Sequence, residues 1–353
     1  MEDATGPGPK EVLDALTPWS ALEGAEFEGL AGGLINQSWR VVTAGGEYIA
    51  QRVHADFSDG IHANIQAVSS HLARRGVVVP RLLETDRGDL FSDRGVAGRW
   101  RVMERLPGVS FSKCRTPAQA RSAGALVASF HSGMLDWEGK LEPIGFPFHD
   151  MPRHLSDLGQ ALQKHPDHPL QNEIKALASE IFEAQEESPI PGDLPQRILH
   201  GDLKLSNLLF EGSDPPSRDI ALSLIDLDTV SRLPLYYDMG DAWRSWCNVG
   251  GEGPGDVRID LEIFRASAEG YLGALELRLS EAERGSLVEG LERVSLELCT
   301  RFAADALEES HFAWDAAAFP TAGEHNLYRA RGQLSLHHQA RETRSERARG
   351  LFD

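Results

Sequence analysis

Leu199-His200-Gly201-Asp202-Leu203-Lys204-Leu205-Ser206-Asn207, followed downstream by Leu224-Ile225-Asp226-Leu227-Asp228, is the stretch that decides the fold. Two apolar pieces, Leu208-Leu209-Phe210 and Leu222-Ser223-Leu224-Ile225, flank a turn rich in Ser, Asp and Pro. The segment therefore reads as a loop feeding a hairpin, a rigid base for the residues on either side of it. Asp202 is placed to accept the proton of a substrate hydroxyl or to orient that hydroxyl. Asn207 and Asp226 offer the hard oxygen donors that Mg²⁺ takes when it sits on ATP phosphates. Asp228, two residues past Asp226, shares its face in an extended strand and either joins a second metal site or orients the first. Asp202, Asn207 and Asp226 together form the signature of phosphoryl transfer. His200 reads as a brace for the loop backbone or for the metal-bearing Asp. Lys204 either touches the transferring phosphate and spreads its charge or stands as a surface lysine.

Working outward, 30–106 is strand-rich. Gly32-Gly33-Leu34-Ile35-Asn36-Gln37-Ser38-Trp39-Arg40-Val41-Val42 is a glycine turn running into a strand. Gly45-Gly46 turns the chain, and Tyr48-Ile49-Ala50-Gln51-Arg52-Val53 returns. Gly32, Gly33 and Asn36 can form a loop over the triphosphate, because backbone N–H groups approach phosphates only where side chains are absent. Alternation places Ile49, Gln51 and Val53 on one face and Tyr48, Ala50 and Arg52 on the other. Gln51 occupies the position at which protein kinases carry their phosphate-binding lysine, so that ammonium is missing. Spacing predicts a helix over Asn64–Arg74, with Ile65, Val68 and Leu72 inward and Gly76 as its stop, and that helix has no glutamate to pair with a lysine. Val77–Pro80, Leu90-Phe91 and Trp100–Met103 read as short strands. Met103-Glu104-Arg105-Leu106 before Pro107-Gly108 is a connecting strand whose backbone, at Glu104 and Leu106, can face an adenine edge, or simply an interlobe linker. From Pro117 onward helical spacing dominates, over Ala118–His131 (Leu126, Val127 and Phe130 inward), Ile174–Glu187, Leu261–Leu275 and Leu287–Leu307. The charged tail from Arg341 to Arg349 needs no special reading.

Composition sets the limits. A chain of 353 residues can bury a sizeable core in two lobes, and 41% apolar with 25% charged residues are ordinary globular values. A formal charge of −19 argues against broad contact with nucleic acid or an anionic membrane. Cys114, Cys247 and Cys299 are far apart and read as buried thiols rather than disulfides or zinc ligands. The acidic, Gly/Pro-punctuated N-terminus is unlike a signal peptide, and no apolar run approaches a membrane span, so the expected compartment is the cytoplasm.

Four blocks carry a resemblance. They are Gly32–Ser38; Tyr48–Val53; Ile225–Val230 leading into Tyr237-Asp238-Met239-Gly240-Asp241-Ala242-Trp243-Arg244; and Arg301-Phe302-Ala303-Ala304-Asp305 with Asn326–Gln333. The chain resembles the aminoglycoside phosphotransferase/choline kinase superfamily, and within it the N-acetylhexosamine 1-kinase branch, whose members also carry glutamine at the lysine position. The resemblance implies an α+β, bilobal, protein-kinase-like fold. An N-terminal extension (1–29) would precede a nucleotide-binding lobe (30–106), a helical catalytic and acceptor-binding lobe (107–340) and a charged tail (341–353). It implies Mg²⁺- and ATP-dependent phosphorylation of the anomeric hydroxyl of an N-acetylhexosamine, with Asp202 as base facing the sugar, Asn207 and Asp226 as metal ligands and Arg301 as a sugar contact. Asp238 and Asp241 would brace the catalytic loop or cap a helix. The branch usually has Asn-Asp-Thr-Lys where this chain has Gly201-Asp202-Leu203-Lys204, closer to the general phosphotransferase form. Two further readings stand beside the sugar: an aminoglycoside, choline or other amino-alcohol acceptor on the same fold, and a nucleotide-binding pseudokinase that regulates a partner.

Overall fold

Period-two burial builds the N-terminal sheet. In the computed structural model, which describes residues 8–30, 35–146, 148–188 and 192–352, the backbone divides into two compact units. The first comprises Met1–Pro107, Trp137–Phe146 and Asp226–Val230; the second comprises Gly108–Asp136, Pro147–Ile225 and Ser231–Asp353.

The first unit is an antiparallel sheet of β1 (Glu26–Leu30), β2 (Gln37–Thr43), β3 (Gly46–Val53), β4 (Leu82–Leu83), β5 (Ser92–Asp93) and β6 (Arg99–Glu104). The order is β1-β2-β3-β6-β4, with β5 also on β6. Trp39, Val41, Ala50, Trp100 and Val102 point to one face, where helix α1 (Pro9–Leu16) and the turn after it cover them with Val12, Leu16, Trp19 and Leu22. Trp19 also donates its indole N–H to the Leu83 carbonyl at 2.8 Å. The opposite face presents Gln51 and Arg101, which are paired in register. Helix α2 (Gly60–Arg74) buries Ile65, Val68 and Leu72 as spacing predicts and ends before Gly76, whose φ is +75°. Two short strands lie elsewhere than expected. Val77–Pro80 and Leu90-Phe91 are not strands; the paired residues are Leu82-Leu83 and Ser92-Asp93. Pro80 has no N–H to give a ladder, and Phe91 instead lies beneath the His62 ring at 4.4 Å.

The second unit is mainly helical. Its helices are α3 (Pro117–Gly133), α4 (Met151–Lys164), α5 (Gln171–Glu187), α6 (Tyr236–Trp246), α7 (Leu261–Ala274), α8 (Glu281–Glu308), α9 (Ala322–Glu342) and α10 (Arg344–Phe352). Strands β7 (Arg197–Leu199), β8 (Leu208–Phe210), β9 (Ala221–Leu224) and β10 (Ser231–Leu233) form two small antiparallel pairs, β8 with β9 and β7 with β10. Leu158, Ile174, Ile181, Cys299, Ala303 and Ala330 share one apolar core. In α3, Val127 and Phe130 are buried and Leu126 is half-buried. Gly108 has φ +123°, and a Cβ there would press on the Phe210 carbonyl oxygen, so only glycine lets Val109 bridge to Phe210. The charged tail has structure after all. Arg347 is fully buried in α10 and pairs with Glu292 at 2.5 Å, so its guanidinium is neutralised inside the core rather than solvated. Among the described residues no helix is long and apolar enough to cross a membrane.

Candidate active site

In the second unit the loop Leu199–Asn207 is held from below by one carboxylate. Asp238, fully buried near the start of α6, accepts the N–H of His200 at 2.8 Å and that of Gly201 at 2.7 Å. It also accepts from His131 Nε2 at 2.9 Å, whose other ring nitrogen meets the Tyr271 hydroxyl at 2.9 Å. Burial alone would raise the Asp238 carboxyl, but the bonds from His131 and Gly201 and the nearby imidazoles outweigh it and leave it lowered. Gly201 adopts φ +90°, which lets two consecutive N–H groups aim at one carboxylate.

His200 is a brace, as its position in the loop suggests. It is fully buried, its Nε2 faces the Ile225 carbonyl at 2.9 Å, and its Nδ1 accepts the Asp202 N–H at 3.3 Å. That pair of bonds requires the neutral Nε2–H tautomer, consistent with a pKa pushed down by burial. Two further bonds pin the loop, from the Leu205 N–H to Ser245 Oγ (3.0 Å) and from Trp246 Nε1 to the Leu203 carbonyl (2.8 Å).

The Asp202 side chain is partly exposed, and Lys204 Nζ donates to its Oδ2 at 2.6 Å. Burial raises the Asp202 carboxyl, yet the attraction of Lys204 and of the basic groups around it leaves it below its ordinary value, so it is ionised at neutral pH. Asn207, buried, gives its Nδ2 to the Asp202 carbonyl at 2.9 Å, which leaves its carboxamide oxygen as the atom that could meet a cation. Its own carbonyl accepts the Ile225 N–H at 2.9 Å, tying loop to hairpin. Asp226 follows directly and stands in the left-handed region, φ +67° and ψ +64°, a conformation that costs a non-glycine residue about 1 kcal/mol or more. Asp226, in the first unit, and Asn207, in the second, each carry an oxygen of the hard kind that Mg²⁺ takes. Among the described residues no three His, Cys, Asp or Glu side chains converge as a ligand set, and such a site needs none.

Farther along the same unit, Arg301 lies over the Phe148 ring at 5.0 Å and the Phe312 ring at 5.5 Å. Burial lowers its pKa, while Glu297, Asp202 and Asp241 pull the other way. No carboxylate pairs with it among the described residues. Asp305 accepts the N–H groups of Ser310, His311 and Phe312 and the Asn326 amide at 2.9 to 3.0 Å. It thereby links the 301–305 and 326–333 blocks. Asp241 holds Arg244 at 2.6 Å. His149, which the sequence did not flag, faces Glu297 at 2.7 Å and the Gly201 carbonyl at 3.1 Å. Burial opposes its charge, but Glu297 wins and the pKa is raised; both ring nitrogens face oxygen acceptors.

In the first unit a second cluster surrounds Asp228. Its Oδ1 meets Arg101 Nη2 at 2.7 Å, and its Oδ2 accepts from Arg101 Nη2 at 2.9 Å and Asn36 Nδ2 at 2.7 Å. Asn36 Oδ1 in turn accepts the His54 N–H. Gln51 Oε1 takes Arg101 Nε and Nη2 at 2.9 and 2.6 Å, and its Nε2 reaches Ser38 at 3.0 Å. Arg101, missed in the sequence, is 1% exposed. The sequence carries no local signal for it, because its place opposite Gln51 depends on the register of β6 against β3. Burial and the positive field of Arg101 push His62 down to about 4, so this neighbour stays neutral. Arg52, on the other face from Gln51, is half-buried beside Gly98. The Glu104 and Arg105 N–H groups go to the carbonyls of Arg81 and Glu47. Gly32 and Gly33 lie outside the described residues.

A family model described as the phosphotransferase enzyme family matches residues 26–277. A homoserine kinase of Granulibacter bethesdensis is 26% identical over 272 residues, 74% of this chain and 75% of that protein. The structure of a microcompartment-associated aminopropanol kinase superposes with a TM-score of 0.62 at 18% identity, over 97% of this chain and 98% of that one. An aminoglycoside phosphotransferase from Alicyclobacillus acidocaldarius gives 0.60 at 16% identity, over 98% of each. The fold is the protein-kinase-like fold of these enzymes.

Proposed function

The chain belongs to the phosphotransferase enzyme family, and on that premise we propose that it phosphorylates the anomeric hydroxyl of an N-acetylhexosamine or related sugar from Mg·ATP, in the cytoplasm. It is an ATP-dependent phosphotransferase with a hydroxyl acceptor; the sugar is the finer reading. The observation that carries the chemistry is the ionised Asp202 on a loop pinned through Asp238, His200 and Trp246. Phosphoryl transfer is mostly positioning and charge stabilisation, and such a loop supplies the positioning. Asp202 accepts a hydrogen bond from the acceptor hydroxyl and takes its proton as the acceptor oxygen bonds to the γ-phosphorus. The bond to the β-phosphate oxygen breaks, and ADP leaves. Lys204 limits how strongly Asp202 holds that proton and stands beside the arriving phosphate. Asn207 and Asp226 would hold Mg²⁺, which neutralises phosphate charge; the backbone at Gly32, Gly33 and Leu106 and the Glu104 carbonyl would grip the nucleotide, while Gln51 and Asn36 act through their bonds to Arg101 and Asp228.

The sugar reading rests on the four sequence blocks and on the Asn326–Asp305 bond that joins the two parts of the fourth. A second reading has its own support. A guanidinium flanked by two aromatic rings, with no carboxylate partner among the described residues, suits an acceptor that carries a carboxylate, as a hydroxy amino acid does. The homoserine kinase relative points the same way.

An acceptor panel with Mg·ATP separates these readings. It would contain free hexoses and N-acetylhexosamines, their 1-O-methyl glycosides, homoserine, choline, aminopropanol and an aminoglycoside. The sugar reading expects turnover on free N-acetylhexosamines that blocking the anomeric oxygen abolishes. Phosphorylated methyl glycosides, or turnover on homoserine alone, would overturn it.

A further inference from the structure

The missing lysine at Gln51 and the missing glutamate in α2 have one explanation. Arg101 stands on the strand next to Gln51, directly opposite it in register, so a cation has moved one strand over rather than vanished. Gln51 no longer meets phosphate as an ammonium would. Its carbonyl oxygen accepts two bonds from Arg101, and its amide is fixed by Ser38. The carboxylate partner comes from the turn after Asp226 rather than from α2: Asp228, 3% exposed, has both oxygens against Arg101 and one also against Asn36. A carboxylate already neutralised by a buried guanidinium is a poor ligand for a hard dication, and the same guanidinium would repel that dication.

We propose that Arg101 is a positioning residue and Asp228 its tether: the pair fixes the turn that keeps Asp226 in its left-handed conformation, and Asp228 is not itself a metal ligand. A carboxylate-bearing residue at φ +67° persists only where its surroundings over-determine it. The Arg101–Asp228 pair anchors the turn two residues beyond Asp226, and Gln51 and Asn36 hold that pair in place. This inference rests on the reading of Asp226 as a nucleotide-metal ligand.

The test is a double-mutant cycle on the full chain, with R101M, D228N and R101M/D228N, read by thermal unfolding and by calorimetric binding of Mg·ADP. Each single variant should melt lower, because it leaves one charge buried without its partner, and the double should recover most of that loss. Mg·ADP affinity should fall at least tenfold in each single variant and no further in the double. R101K, which keeps the charge but lacks the fork that spans Gln51 and Asp228, should lose threefold or more of affinity with a melting point nearer native, and it covers the case that R101M does not fold. Native Mg·ADP affinity in R101M or R101K, or losses that multiply in the double, would overturn the tether. If the native chain binds no Mg·ADP, the kinase reading falls and the tether with it; binding with additive losses sinks the tether alone.

Discussion

The two units bury a carboxylate in opposite ways. In the helical unit, Asp238 is held by two backbone N–H groups and an imidazole, all from or beside one loop. In the strand-rich unit, Asp228 is held by a guanidinium and a carboxamide from residues 127 and 192 positions away in sequence. Two of the donors to Asp238 are backbone groups that no substitution of the loop's side chains removes. The Asp228 cluster depends on Asn36, Gln51 and Arg101 together, and the loss of any one leaves a polar atom buried without its partner.

The largest effect should come from the loop itself. Asp202→Ala removes the proton acceptor and should lower kcat by about a thousandfold or more, with Mg·ADP affinity within threefold of native in calorimetry. Asp238→Ala comes next. It leaves the His200 and Gly201 N–H groups unsatisfied at about 1–3 kcal/mol each, so both the melting point and kcat should drop. Equal melting points for Asp238→Ala and native would break the contrast with Asp228. On the other side, Gln51→Lys restores the usual kinase residue but sets an ammonium against Arg101, a repulsion on the order of 4 kcal/mol at about 4 Å in a partly solvated site. That variant should unfold at lower temperature, and adding Arg101→Gln should restore most of the loss; a stable single variant would mean that the two side chains avoid each other.

The smallest effect concerns pH. The His149 pKa is raised in the folded chain by Glu297 against the opposing effect of burial. Its contribution to stability is therefore complete below the ordinary value of 6.5 and is lost as pH rises through the higher folded value. His149→Gln should flatten the alkaline side of a melting-point-against-pH curve by about 2 °C, and an unchanged curve would remove His149 from the loop's support.

What could be read in advance follows the same division. The Leu199–Asn207 loop, the hairpin after it and the bracing bonds of His200 were legible because their spacing is short and their chemistry local. Helices α4, α6, α9 and α10 were not read in advance, whereas α2, α3, α5, α7 and α8 were legible from apolar period, though α8 begins at Glu281 rather than Leu287. Arg101 was not, because an arginine in a strand reads as a surface residue until its register partner is known, and register is a tertiary property. The same holds for Arg347, whose highly charged surroundings hide its pairing with Glu292 inside the core. Helix α1 and strand β1 escaped notice because each is short, and α1 becomes helical as it buries Val12 and Leu16 against the sheet. The Val77–Pro80 strand was expected from β-branched residues, and Pro80 with the preceding turn overrode that propensity.

The most direct test of the central claim is ³¹P NMR of the native chain incubated with Mg·ATP and the acceptor panel. The account predicts a new phosphate-ester resonance on one acceptor, growing in step with ADP and absent with Asp202→Ala. ADP that accumulates with inorganic phosphate and no ester, or an ester that forms undiminished with Asp202→Ala, would contradict it.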